Sequence, residues 1–242
     1  MNFYQEWAEN IKNDKYIEEY LSKSEFSREV FLNGSDVEVK EACQLLKSIP
    51  MVQFIESLKN IPTDRLPRTD EIPQCGTLEK AICEVPQALA FAPEGLLCAE
   101  LGLKLGADNH GDAPRKSGEG NGKLADAMDI AIRMKLPSES KKGIKYGYKL
   151  SSLGRYLLRF PELDDKTDIV SRLLIREYIA QMLIIRVMND GYAKYSEITA
   201  ALKSPTTRMR RRQNVRRIIS FIDSQVTTGN TYHDKIDWSV EG

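Results

Sequence analysis

Cysteine is scarce in this chain: four in 242 residues, at positions 43, 75, 83 and 98, with no Cys-x-x-Cys pair among them. A disulfide framework needs denser cysteines, and a structural zinc site needs a close set of thiol and imidazole ligands. Only His110 and His233 could add to such a set, so the thiols read as reduced and mostly buried, with no metal or cofactor expected. Long apolar runs are missing too. No segment approaches the roughly 18–20 residues of a membrane span. The start, MNFYQEWAENIKNDK, lacks the basic-then-apolar order of a secretory signal. The expectation is a cytoplasmic protein with no membrane partner.

There is also no excess charge of one sign, since 35 basic side chains balance 35 acidic ones. The distribution is less even. Residues 1–72 carry 14 acidic and 9 basic groups, a net of −5, which leaves +5 on the remainder. Residues 203–217 hold Lys203, Arg208, Arg210, Arg211, Arg212, Arg216 and Arg217 without a single acid. A block of that kind points to a polyanionic partner.

Three parts separate by composition. Residues 1–72 read as a helical N-terminal region, with Trp7, Ile11, Tyr16, Ile17 and Leu21 as early apolar positions. Ser35-x-x-Glu38 is a capping box ahead of VKEACQLLKSI. Pro62, Pro67 and Pro73 then interrupt the helical pattern as a linker. Residues 74–160 open on a helix, TLEKAICEVPQALAFA, in which Pro86 is a breaking point. A short helix stopped by Gly106 follows, then a glycine-rich loop, ADNHGDAPRKSGEGNG. KLADAMDIAIRMKL reads as a third helix, LPSESKKG and IKYGYKL as two short strands, and LSSLGRYLLRF as a last helix. Residues 163–242 repeat the plan. One long or two consecutive helices end at Asn189-Asp190-Gly191, and YSEITAALKS is a short helix with Ser196 as N-cap. SPTTRMRRRQNVRRIISFIDSQ is the next, capped by Ser204 or Thr206 with Pro205 at its first position. VTTGNTYHDKIDW then reads as a hairpin around Thr228-Gly229-Asn230.

Helix, helix, helix, hairpin is the layout of a winged helix-turn-helix. The run YGYKLSSLGRYLL resembles the end of many bacterial winged-helix modules, where the last wing strand passes into a helix with an -LT-LG- pattern. The stretch TTRMRRRQNVRRIISFI is similar to second winged-helix modules appended to bacterial restriction and AAA-ATPase-linked proteins. The resemblance implies a mainly α fold: a helical N-terminal region (1–72) followed by two winged helix-turn-helix modules (74–160 and 163–242) with short β-hairpin wings. It speaks to fold more than to function.

A recognition helix shows one face to its core and another to the groove. At about 3.6 residues per turn, Val215, Ile218, Ile219 and Ile222 share one side of the basic helix. Opposite them fall Thr206, Arg210, Gln213, Asn214 and Arg217. Arg210, Gln213, Asn214 and Arg217 are therefore the expected base contacts, since these side chains match guanine and adenine edges. Thr206, Thr207, Arg208, Arg211, Arg212, Arg216 and Lys203 are expected on phosphates. In the first module, Leu124, Ala127, Met128 and Ala131 form the buried face, opposite Gly122, Asp126, Asp129 and Arg133. Two carboxylates there repel phosphate, so Arg115, Lys116 and Lys123, with Lys141, Lys142 and Lys145 of the wing, are left to hold backbone.

No set of residues amounts to an active site. Glu38-Val-Lys40 has the E-x-K spacing of some metal-dependent nucleases, but that chemistry needs a strand and a second acid. Asp126 with Asp129, and His110 with Asp112, lack partners, and SGEGNGK at 117–123 lacks P-loop spacing. The leading expectation is a non-enzymatic double-stranded DNA-binding protein, a regulator or the recognition subunit of a larger bacterial restriction or defence system. A homodimer is an associated expectation, with MLIIRVM (182–188) offering apolar surface. The rivals are a restriction-type nuclease component and an assembly subunit that binds protein instead of DNA.

Overall fold

The computed structural model describes residues 14–73, 77–137, 144–226 and 231–241. Trp7, Ile11, Cys75, Lys141, Lys142 and the turn at 228–230 lie outside them. The chain is mainly helical and forms two compact units. Unit one contains residues up to 28, 40–72 and 167 onward; unit two contains 29–39 and 73–166. The acidic N-terminal segment thus contributes to the same unit as the basic C-terminal one.

The first helices are α1 (Asp14–Leu21), α2 (Glu25–Asn33), α3 (Asp36–Ser48) and α4 (Met51–Ser57). The capping box forms as the spacing requires. The Ser35 hydroxyl accepts from the Glu38 amide at 3.3 Å, and the Glu38 carboxylate accepts from the Ser35 amide at 2.8 Å. The chain beyond residue 167 meets the ends of α1 and α3 through contacts that no sequence pattern announces. Arg172, 5% exposed, donates to the carbonyls of Leu46 (2.6 Å), Lys47 (3.2 Å) and Ile49 (3.2 Å) at the C-terminal end of α3, while pairing with Asp168. Arg176 donates to the Tyr20 carbonyl at 3.1 Å and lies over the Tyr20 ring; Gln181 donates to the Leu21 carbonyl at 2.9 Å. Helix C-termini leave carbonyls without intrahelical donors and carry the negative end of the dipole, so cationic and amide donors satisfy both needs.

Unit two starts with a helical stretch whose turn widens to π geometry at Lys80–Glu84 before α5 (Val85–Ala90). Pro86 is therefore absorbed inside a continuous helix instead of breaking it, because a widened turn makes room for a residue lacking an N–H. Next come β1 (Leu96–Leu97), α6 (Cys98–Lys104), α7 (Ala113–Ala127), β2 (Ala131–Pro137), β3 (Ile144–Leu150) and α8 (Ser152–Leu157). All pairing in the sheet is antiparallel, in the order β1-β3-β2, with Ala131 opposite Leu150 and Leu96 opposite Tyr148.

Two expected boundaries in this unit are corrected. The glycine-rich stretch is helix, since α7 runs through Gly118, Gly120 and Gly122. A Cβ at Gly118 would sit 1.8 Å from the Cys98 carbonyl oxygen, and one at Gly102 1.8 Å from that of Pro114, so glycine lets α6 and α7 pack backbone to backbone. The expected third helix, 123–136, ends instead at Ala127, and Ala131–Pro137 is a strand. Its residues alternate between more exposed and less exposed positions, a period of two. Between them Asp129 is fully buried in a left-handed conformation, and the Ser151 hydroxyl lies 2.7 Å from its carbonyl while capping α8.

Unit one resumes with α9 (Leu163–Leu174, from residue 167), α10 (Tyr178–Asp190), β4 (Ala193–Lys194), α11 (Tyr195–Ile198), α12 (Pro205–Asp223) and β5 (Ile236–Asp237). Gly191 ends α10 at φ 79°, as its position after Asn-Asp suggests. Pro205 is the first residue of α12, but neither expected side-chain cap forms at its start. Ser196 lies within α11, buried, instead of capping it. The expected C-terminal hairpin is also corrected. Among the described residues, His233–Lys235 form a 3-10 turn and β5 pairs parallel with β4, Ala193 opposite Ile236. A parallel partner cannot be the return strand of a hairpin. Nor is MLIIRVM a spare surface, because Met182, Leu183, Ile184, Ile185 and Val187 are buried within the chain.

Replacing Arg172 by Ala should lower unfolding free energy by roughly 3–5 kcal/mol, leaving buried carbonyls and Asp168 without their donor. The urea midpoint measures this; a shift no larger than that of an exposed Arg→Ala control would contradict the carbonyl-capping role.

Candidate nucleic-acid interface

Helix α12 carries the basic block, and its apolar side is as the periodicity predicts: Val215, Ile218, Ile219 and Ile222 are all buried. Its arginines divide into two groups. Arg208, Arg212 and Arg216, one turn apart, form a row against the C-terminal segment. Arg208 donates to the carbonyls of Leu202 (2.7 Å) and Val240 (2.9 Å), and Arg212 to that of Trp238 (3.0 Å). Arg216 lies over the Trp238 ring at 5.7 Å and donates to His233 Nε2 at 3.4 Å. Trp238 also packs near Tyr195, ring centroids 5.9 Å apart, and donates through Nε1 to the His233 carbonyl at 3.1 Å. At the far end of α12, the Asp223 carboxylate accepts from the amides of Tyr232 (2.9 Å) and His233 (2.8 Å). Burial raises the Asp223 pKa, against the lowering effect of those two amides.

Arg211 points elsewhere and donates to the carbonyls of Thr69 (2.5 Å) and Ile72 (2.8 Å). The proline-punctuated segment it grips is an ordered loop. Glu71 accepts a two-pronged bond from Arg65, both contacts 2.6 Å, and the amide of Arg68 at 2.7 Å. Arg65 stacks over Tyr178, whose hydroxyl donates to the Arg65 carbonyl at 2.9 Å. The Arg65 guanidinium, with help from the Arg68 amide, holds the Glu71 carboxyl down at about 2.

What stays exposed on α12 is a stripe of Thr206, Arg210, Gln213 and Arg217, with Met209 beside it. The spacing of four, three and four keeps these residues on one side for about 16 Å. Arg216 and Lys203 are also exposed, and Thr207 is half-buried. Three expectations are revised. Asn214 is 5% exposed and on the inner side, so it is not available to a base edge. Arg208, Arg211 and Arg212 are half-buried and engaged with backbone carbonyls, so they do not form a phosphate-facing fringe. In unit two, Arg115 pairs with Asp112 and Glu119 (each 3.2 Å) and Lys123 with Glu119 (2.8 Å), which leaves Lys116 as the exposed cation of that set without such a pair among the described residues.

Glu38 and Lys40 lie on a helix, and the Glu38 carboxylate is engaged by Ser35. Among the described residues no group of three or more His, Cys, Asp or Glu side chains is arranged to hold a metal ion. Cys43 and Cys98 are buried free thiols, and burial pushes Cys43 up to about 12. No described helix is long and apolar enough to cross a membrane. No family model, curated protein or solved structure matches the chain.

The Glu71 clasp makes a signed expectation. Its folded pKa lies below the unfolded value, so its stabilisation is fully present above about pH 4.5 and fades as pH falls toward 2. Glu71→Gln should therefore reduce the urea midpoint at pH 7 and differ progressively less from the wild type as pH falls from 4.5 toward 2.5. A pH-independent difference would remove the ionised clasp as its cause.

Proposed function

We propose that the chain binds double-stranded DNA through the outer stripe of α12, as a regulator or a recognition subunit. The observation that carries this is the exposed acid-free row Thr206, Arg210, Gln213, Arg217, on a helix whose opposite face is anchored in the core. Arginine forks match guanine edges and phosphates, and a glutamine amide matches adenine. Base contact is assigned to Arg210, Gln213 and Arg217. Thr206, Lys203 and Arg216 are assigned to flanking phosphates. The order helix, β1, α6, α7, β2, β3 in unit two, with β1 beside β3, supports reading that unit as a winged helix. Its α7 surface, zipped by Glu119 to Arg115 and Lys123, suits a supporting role better than base reading.

A gel-shift titration on a mixed-sequence duplex tests the proposal. Arg210→Ala/Arg217→Ala should weaken binding at least tenfold and flatten the salt dependence by about one to two units of log–log slope. Equal binding by this variant and the wild type would sink the assignment, and loss of binding to an acidic protein alone would favour the assembly-subunit reading.

A further inference from the structure

Among the described residues the free thiols differ in environment. Cys43 and Cys98 are buried, and burial raises the pKa of both. Cys83 is half-buried and stands in the π-widened turn at Lys80–Glu84, a local irregularity of the kind that often accompanies function. The side chain beside it is unusual. Lys166, near the start of α9 and the last residue of unit two, is 2% exposed, and its Nζ donates to the Cys83 Sγ at 3.5 Å.

A buried lysine ordinarily keeps its charge beside a carboxylate. Here the acids next to it in sequence, Asp164 and Asp165, are exposed, and Glu84, next to Cys83, faces Lys80 at 3.7 Å. Among the described residues the sulfur is the one hydrogen-bond partner of the Lys166 amine. An amine is thus held against a thiol that small solutes can reach, with no acid between them.

Oxidation makes such a pair reactive. Hydrogen peroxide transfers one oxygen to the thiol, giving a sulfenic acid and water; the sulfur loses two electrons and the O–O bond takes them up. The unprotonated lysine amine can then attack that sulfur. An S–N bond forms, the S–O bond breaks, and the hydroxyl leaves with an amine proton as a second water. Backbone nitrogen traps sulfenic acids in the same way. The flexible four-carbon stem lets the amine close the gap through its own torsions. Two equivalents of an external thiol reverse the bridge: the first cleaves S–N to a mixed disulfide and free amine, the second releases Cys83.

We propose that Cys83 and Lys166 form a modification site for hydroperoxides, joined on oxidation by a reversible S–N bridge that ties the π turn to the start of α9. The site shares no residue with the α12 stripe, so this inference and the DNA-binding proposal can fail separately.

The test exposes the full chain to a small excess of hydrogen peroxide at about pH 8.5, where more lysine amine is unprotonated, and maps the tryptic peptides by mass. The peptides carrying Cys83 and Lys166 should appear joined, about two mass units lighter than their sum, with no cleavage after Lys166. Dithiothreitol should separate them. Because the bridge closes a long loop, peroxide should also raise the melting temperature of the wild type. Lys166→Met, which suits a buried site, should show neither the joined peptides nor that rise. The wild-type mass map decides the matter even where the variant folds poorly. Cys83 carried on to sulfinic acid with Lys166 still cleaved, a disulfide of Cys83 with another cysteine, no reaction at Cys83, or the same thermal shift in Lys166→Met would overturn the proposal.

Discussion

The structure of unit one depends on arginine satisfying backbone carbonyls. The last carbonyls of α1 and α3 are met by side-chain donors from the chain beyond residue 167, and an unmatched buried acceptor costs about 1–3 kcal/mol. Arg172, Arg176 and Gln181 meet those carbonyls, and in doing so tie residues 14–28 and 40–72 to the chain beyond residue 167. The planar guanidinium suits this task because several donors diverge from one rigid group, so Arg172 alone reaches three carbonyls. Ion pairs of Lys23 with Glu177 and Lys47 with Asp168 join the same two parts of the chain beside these carbonyl contacts.

The same chemistry recurs on α12 and explains how its basic block is divided. Arg208 and Arg212 fasten the C-terminal segment by its carbonyls, and Arg211 fastens the loop that Glu71 and Arg65 have folded. These contacts hold α12 on three sides: its apolar face in the core, the tail along one row, the loop along another. A helix held on three sides that keeps one basic stripe exposed is what the proposed groove recognition requires. The arginines that do not touch the stripe contribute by holding it still.

Much of this was legible in the sequence, and the failures have physical causes. The Ser35 capping box, the Gly191 stop and the apolar face of α12 were readable because each depends on contacts within a few residues. The stripe residues Arg210, Gln213 and Arg217 were readable from period alone. Asn214 was misjudged because it stands at the margin of the apolar face, where about 100° per residue cannot decide between core and solvent. The roles of Arg208, Arg211 and Arg212 were illegible for a deeper reason: a carbonyl acceptor is present at every residue and leaves no mark in the side-chain pattern. Glycines 118, 120 and 122 looked like a loop by propensity, but a Cβ at 118 would strike the α6 backbone and one at 122 the Tyr148 ring, so close packing favours glycine at both within the helix. The strand at 131–137 was hidden by helix-like composition, although its alternation was there to be counted.

The division of the basic block is the central claim, and a stability scan of its arginines measures it most directly. Single alanine replacements at 208, 210, 211, 212 and 217 would be compared by thermal unfolding. Arg208→Ala, Arg211→Ala and Arg212→Ala should each lower the midpoint by about 4–8 °C, for a loss near 1–2 kcal/mol in a unit of this size. Arg210→Ala and Arg217→Ala should leave it within about a degree, as exposed substitutions do. Five similar shifts, or a larger loss at 210 and 217 than at the other three, would contradict the account.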